Sequence, residues 1–268
     1  MRRNGQSEVV RPATDWELRG IIASLASERR PVEVIGNGTK RAIGRPMQTA
    51  ATLTTASLRG STLYEPTELV MAARAGTPLA TIEAELAARG QMLAFEPIDL
   101  GPAVGSQPGA QTIGAVFAAN LSGARRISAG AARDHLIGIQ GVNGRAELFK
   151  SGGRVMKNVT GYDLARGLAG SWGTLAVLTQ VTFKVLPYPE SAATLVYPGL
   201  PDDIAAELMC GALGTPYEVS GTVHLTAALA QRLPDPTLAA AGQPLTLIRI
   251  ENFAPSVAYR KDMLKQHL

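Results

Sequence analysis

The chain has 268 residues, 46% hydrophobic and 18% charged, a balance that supports one large or two ordinary packed cores and excludes an intrinsically disordered chain or a disulfide-held miniprotein. A single cysteine, Cys210, has no partner for an internal disulfide and is too little for an iron–sulfur centre. The net charge of +4 and the 5% aromatic content fall short of the basic, ring-interleaved surface that nucleic-acid binding uses, so no nucleic acid is expected as a partner.

Thr14-Asp15-Trp16-Glu17 has the form of a capping box, and Leu18, Ile21, Ile22 and Leu25 follow at helical spacing. A helix is predicted to about Arg30, ended by Pro31. Val32–Ile35 reads as a short strand that delivers the chain into Gly36-Asn37-Gly38-Thr39-Lys40, and Pro46 blocks a long helix beyond it. Residues 69–75 read as a strand. Thr77 is then the cap of a helix with Pro78 at its first position, Leu79, Ile82 and Leu86 as its buried stripe and Gly90 as its stop, before a strand over residues 91–95.

From Gly101 to Gly173 the chain holds 15 of its 28 glycines, which marks a stretch where backbone turns tightly or approaches something closely. Within it, residues 136–142 and 145–150 flank Asn143-Gly144, the signature of a hairpin with a type I′ turn. After Gly173, alternation places Leu175, Val177, Val181, Phe183 and Val185 on one face of a long strand stopped by Pro187, and a domain boundary is expected near residue 188. Beyond it come a strand over 193–197, a helix over 202–213, a strand over 217–225, a helix near 226–231, a strand over 245–250 and a last helix from about Ser256. That is a small sheet with helices on one side, and with no further strand to complete the layer it is expected to be truncated. No apolar run approaches the roughly 20 residues that a bilayer requires, and Met1 to Glu8 has no apolar stretch behind its arginines, so a cytoplasmic protein without a transmembrane segment is expected.

Three segments carry chemistry. In Gly36 to Lys40, successive small residues after a strand let backbone N–H groups converge on pyrophosphate oxygens, although a plain turn accounts for the same residues. Arg41 breaks the Rossmann fingerprint and no Gly-Lys-Ser/Thr occurs, which argues against nicotinamide and Walker-type ATP sites. Thr112 to Gly123 opens with an N-capping Thr and continues with small residues that let a short helix lie close to a ligand or strand, its free amides facing an anion. Gly161-Tyr162-Asp163 and Gly170 to Leu175 place glycines where main chain can lie against a flat ring. The surplus of Arg and Lys over residues 125–184 suits a small anion, although a solvated basic surface is the plainer reading. His135 beside Asp134 reads as structural rather than catalytic, Cys210 as a buried small hydrophobe, and His224 and His267 lack neighbours at ligand spacing, so no metal site is expected.

In order and spacing these segments resemble the PCMH-type, or vanillyl-alcohol oxidase, FAD-binding family, and within it the FAD-binding subunits of bacterial glycolate oxidases. The resemblance covers essentially residues 15–268 and is most specific in Gly90-Gln91-Met92-Leu93-Ala94-Phe95-Glu96-Pro97 and in Val155-Met156-Lys157-Asn158-Val159-Thr160-Gly161-Tyr162-Asp163-Leu164. It implies an α+β fold, with a PCMH-type FAD-binding domain of two α/β subdomains over residues 1–188 and an incomplete ferredoxin-like α/β cap domain over 189–268. It implies FAD bound by Gly36, Asn37, Gly38, Thr39, Lys40, Pro97, Thr112, Ile113, Gly114, Asn120, Gly123, Gly173, Thr174 and Val177, the first glycine loop and the Thr-Ile-Gly segment holding the diphosphate. Three positions depart from the family pattern: Asn37, which tolerates left-handed backbone, Ala115 in place of a second glycine, and Trp172 in place of Glu. The first loop has neither His nor Cys, so the flavin is expected to be non-covalent, with Lys40 meeting its phosphates. The resemblance further implies an oxidoreductase subunit that passes hydride from a 2-hydroxy acid, glycolate to glyoxylate, to FAD. Its partners would be a larger FAD-binding paralogue and an iron–sulfur subunit, in the cytoplasm or peripheral at the inner membrane through those partners. The alternatives are a non-catalytic flavin-holding or assembly subunit whose partner chain carries the active site, and a nucleotide-binding protein that has lost flavin. No catalytic base is identifiable.

Overall fold

The computed structural model describes residues 8–153 and 162–268, so most of the stretch from Val155, including Gly161, lies outside the described residues. The chain forms two compact units, Met1–Ser122 with Ala131–Pro187, and Gly123–Gly130 with Tyr188–Leu268. The fold is α+β.

The first unit holds two main sheets. In the smaller, Glu8–Val10 and Val32–Ile35 run parallel to a central strand, Ala51–Thr54. Ala-Thr-Leu-Thr shows no bulky alternation, which hid this strand from the pattern reading, yet all four of its residues are buried. The helix Asp15–Ser27 is capped as expected, Glu17 N donating to Thr14 Oγ1 at 3.1 Å, but it stops before Arg30 because Arg29 turns left-handed at φ 52°. Its Leu18 and Ile22 pack with Leu53, Val142 and Val177, joining the smaller sheet to the larger.

The larger sheet is antiparallel, in the order Ser61–Glu65, Val70–Arg74, Ala176–Lys184, Leu136–Asn143, Leu148–Gly152. Its core includes Phe95, Phe117 and Phe183, with successive ring centroids 5.6 and 5.3 Å apart. The long strand departs from simple alternation. Gln140 pairs with Gln180 but Gly141 with Leu178, so Thr179 is an extra residue in a β-bulge. Ala176 and Leu178 therefore share the main core with Val181, Phe183 and Val185, while Val177 joins the smaller cluster and Leu175 is exposed.

The hairpin also differs in detail. Neither Asn143 nor Gly144 has a positive φ; Ala146 does, at 58°, and Ala146 N donates to Asn143 O at 3.0 Å. This is a three-residue loop whose last residue is left-handed, held by Asn143 Oδ1, which accepts from Arg145 N and Glu147 N. The helix Leu79–Ala87 buries Leu79, Ile82 and Leu86 as predicted, but Thr77 does not cap it. Its hydroxyl donates instead to Arg74 O at 2.7 Å and accepts from Gly60 N at 2.9 Å. The strand after Gly90 is only Gln91–Met92, paired with Leu186–Pro187.

In the second unit the antiparallel sheet has Leu245–Asn252 between Ser191–Pro198 and Val219–Leu225. The helices Asp202–Leu213 and Ala254–His267 contribute Ala212, Val257 and Leu264 to a core with Leu195, Val219, Ile248 and Ile250. Cys210 is exposed rather than buried, on the outer side of the first of these helices. The short helix Arg126–Ala129 belongs here as well: Ala124 lies against Gly221, and Arg125 Nη2 donates to Glu251 Oε1 at 2.8 Å in a largely buried pair. Among the described residues, no helix is long and apolar enough to cross a membrane.

Candidate functional site

A cleft of about 980 Å³ lies wholly within the first unit. One wall is the parallel strand Val32–Ile35 and the loop that leaves it, residues 36–41, continued by residues 43 and 45–50. Another is Ala75 with the helix Ile113–Ala118, and a third is the turn Trp172 to Thr174 with the start of the strand Ala176–Lys184.

The glycine loop is shaped by its neighbours. Thr54 Oγ1 donates to Gly36 O at 2.6 Å, and Asn37 Nδ2 donates to Ala110 O at 2.7 Å. Gly38 supplies the left-handed residue, at φ 75°, whereas Asn37 has no positive φ. A Cβ on Gly36 would run into Thr112 Oγ1, so glycine is required for the two segments to touch. Glu33, buried in the strand, takes Arg41 Nε at 2.9 Å and Nη2 at 2.6 Å, which fixes the far end of the loop. The backbone N–H groups of residues 37–40 find no protein acceptor among the described residues, and such a run of amides suits an anion.

The Thr-Ile-Gly segment behaves otherwise than expected. Ile113 N donates to Thr77 O and Gly114 N to Ala75 O, both at 2.9 Å, and Ala115 N to Thr112 Oγ1 at 3.4 Å. These amides are satisfied by protein and do not face an anion. The part Gly114 plays is close approach, because a Cβ there would stand 2.6 Å from that of Ala75. Small residues Ala115, Ala118 and Ala119 continue the wall.

Among the described residues, three cations line the cleft. Arg41 is matched by Glu33, and among the described residues Lys40 Nζ hydrogen-bonds only neutral oxygens, Thr39 Oγ1 at 3.3 Å and Gln111 Oε1 at 3.2 Å. Burial pushes the Lys40 ammonium below the ordinary lysine range, partly opposed by Asp99. Arg45 is the third.

Of the residues named from the sequence, Gly36 to Lys40, Gly114, Gly173, Thr174 and Val177 line this one cleft. Thr112 and Ile113 are buried behind it, Pro97 and Asn120 stand outside its lining, and Gly123 belongs to the second unit. Asn120 instead accepts from Arg133 N at 2.9 Å. Glu33 and Arg45 were not anticipated as lining residues, whereas Ala118, Ala119 and Trp172 fall in segments already singled out from the sequence. A lone acid within Val32–Ile35 is a signal that could have singled out Glu33. His135 is buried against Phe95, ring centroids 5.3 Å apart, and lies outside the cleft.

The fold is that of a PCMH-type FAD-binding domain. The chain belongs to the FAD-binding domain family, whose model matches residues 7–152, and FAD is its cofactor. It is 42% identical over 174 residues to glycolate oxidase subunit GlcE of Escherichia coli (strain K12), covering 65% of this chain and 47% of that protein. It is 28% identical over 188 residues to glycolate oxidase subunit GlcD of Bacillus subtilis (strain 168), covering 70% and 38%. Alkyldihydroxyacetonephosphate synthase shares the fold at a TM-score of 0.74 and 14% identity, over 97% of this chain and 51% of that one. The chain thus spans less than half the length of these two curated relatives.

Proposed function

We propose that FAD lies in this cleft, its diphosphate on the amides of residues 37–40 beside Lys40. We further propose that the chain is a flavin-binding subunit of a complex that oxidises a 2-hydroxy acid, glycolate to glyoxylate. The observation that carries the cofactor site is a single cleft that combines a run of amides unsatisfied among the described residues, a half-buried ammonium with no carboxylate in hydrogen-bond reach among them, and walls thinned by Gly36, Gly114 and Gly173. The substrate class follows the names of the relatives. When bound, FAD supplies the hydride acceptor; the residues of this chain bind and orient it. The glycine loop fixes the phosphates, Glu33 holds the loop through Arg41, and the small-residue wall lets a flat cofactor lie close to the sheet.

Oxidising an alcohol also needs a base for the hydroxyl proton. Among the described lining residues there is no His, Asp, Tyr or Cys, and the one carboxylate, Glu33, is engaged by Arg41. This favours a second reading, in which the chain holds flavin and a partner supplies the base. The proposed partners are a larger FAD-binding paralogue and an iron–sulfur subunit, with the complex cytoplasmic or peripheral at the inner membrane, and residues 189–268 are proposed as part of a cap domain. Purification with and without those partners, followed by anaerobic glycolate, tests all of this. Bleaching of the flavin by the chain alone supports stand-alone catalysis, and bleaching only with the partner supports the second reading. Pure protein that is colourless and takes up no FAD overturns both.

A further inference from the structure

Trp172 stands out among the residues of the cleft. Of the described lining side chains, three are large, apolar and exposed: Ile43, Met47 and Trp172, and only the last has an aromatic face. Trp172 is 46% exposed, in a cleft next to a core that buries Phe95, Phe117 and Phe183 completely. Its backbone is left-handed at φ 55°, a conformation that a bulky side chain rarely adopts, and Gly173 after it is left-handed too, at 75°. The turn is pinned there. Gly170 N donates to Phe117 O at 3.3 Å and Trp172 N to Ala118 O at 2.9 Å, both on the helix that walls the cleft. On the other side, a Cβ on Gly173 would stand 3.3 Å from that of Val34, in the strand that leads into the glycine loop. An unfavourable backbone is therefore held so that an indole, the side chain with the largest flat apolar surface, stays at the cleft instead of joining the core.

We propose that the Trp172 indole is a stacking platform for a flat ring of the bound dinucleotide, adenine or isoalloxazine. The inference rests on the reading of the cleft as the FAD site. Ring stacking of this kind tolerates either partner, because both present a π face.

The chain has two tryptophans, and the other, Trp16, borders a separate shallow hollow, with the Arg19 guanidinium 5.3 Å from its ring. A Trp16→Phe protein therefore reports Trp172 alone. With an adenine partner, ADP, which does not absorb the indole emission, quenches that signal on binding. With an isoalloxazine partner, FMN binds with a weakened and broadened visible band that Trp172→Leu restores to that of free FMN. In either case Trp172→Leu should weaken FAD binding roughly tenfold while Trp172→Phe largely retains it, and Trp172→Gly should raise the Tm of the apoprotein as it lowers FAD affinity. A Trp16→Phe protein that binds FAD, yet shows neither ADP quenching nor an FMN band change, overturns the stacking role and leaves the FAD site standing. So does Trp172→Leu binding FAD as tightly as the parent. Failure of the parent protein to bind FAD at all overturns both.

Discussion

Lys40 is a cation kept partly out of water, hydrogen-bonded among the described residues only to neutral oxygens, and that arrangement has two opposite pH signatures. Its proton is lost at lower pH than from an ordinary lysine, so FAD affinity should fall as pH rises through that lowered value. The unfolded chain holds the proton longer, so the stability of the apoprotein should rise over the same window. Lys40→Met should remove both trends and weaken FAD by about 10- to 100-fold, the worth of a charge-assisted contact to phosphate. Titrations of FAD affinity and of urea stability against pH check both signs. A second residue-level test concerns the touching loops. Gly36→Ala should cost about 1–3 kcal/mol through its clash with Thr112, and Thr112→Ala about 1 kcal/mol through loss of the cap on Ala115. Because the second change removes the atom that the first would strike, the double variant should be more stable than the sum of the singles implies, by about 0.5–1 kcal/mol in denaturant melts.

At the scale of elements, the bulge at Thr179 decides which residues the longest strand buries. Deleting Thr179 would place Ala176, Leu178, Val181, Phe183 and Val185 at strictly alternating positions on one face, so the variant should still melt cooperatively, at a temperature lowered by loss of the hydrogen bond from Ala75 N to Thr179 O. The hairpin offers a milder test. Ala146→Gly should stabilise the chain by about 0.5–1 kcal/mol, because its φ of 58° suits glycine. Both features show why element positions were more readable than their internal geometry. Alternation over Val181 to Val185 announces a strand, but an inserted residue has no mark of its own in the pattern. Asn143-Gly144 announces a turn, but a side-chain oxygen accepting two amides selected a longer loop than the pair suggests. Ala51–Thr54 was missed for a related reason: a fully enclosed strand next to a helix needs small side chains, not the β-branched alternation that flags half-buried ones.

Across the whole molecule, Gly36 to Lys40 and the turn at Trp172-Gly173 were identifiable because tight turns demand particular residues, whereas Glu33 and Arg45 reach the cleft through tertiary packing that local pattern does not encode. With neither His nor Cys among the described lining residues, the flavin should come away on acid precipitation, its yellow colour entering the supernatant; colour retained in the pellet would mean a covalent link from elsewhere. In the second unit, Glu251 lies largely buried between Arg125 and Arg249, so Glu251→Ala should cost about 2–3 kcal/mol and show as an early transition in calorimetry, with Arg125→Met partly restoring it when added.

Arg125 lies far upstream of the sheet whose glutamate it meets. Eight residues, Gly123–Gly130, must therefore wait during synthesis until the strand Leu245–Asn252 leaves the ribosome, and a gene cut at the apparent seam after Pro187 strands them. An excised C-terminal piece should refold only when a peptide spanning those eight residues is supplied in trans.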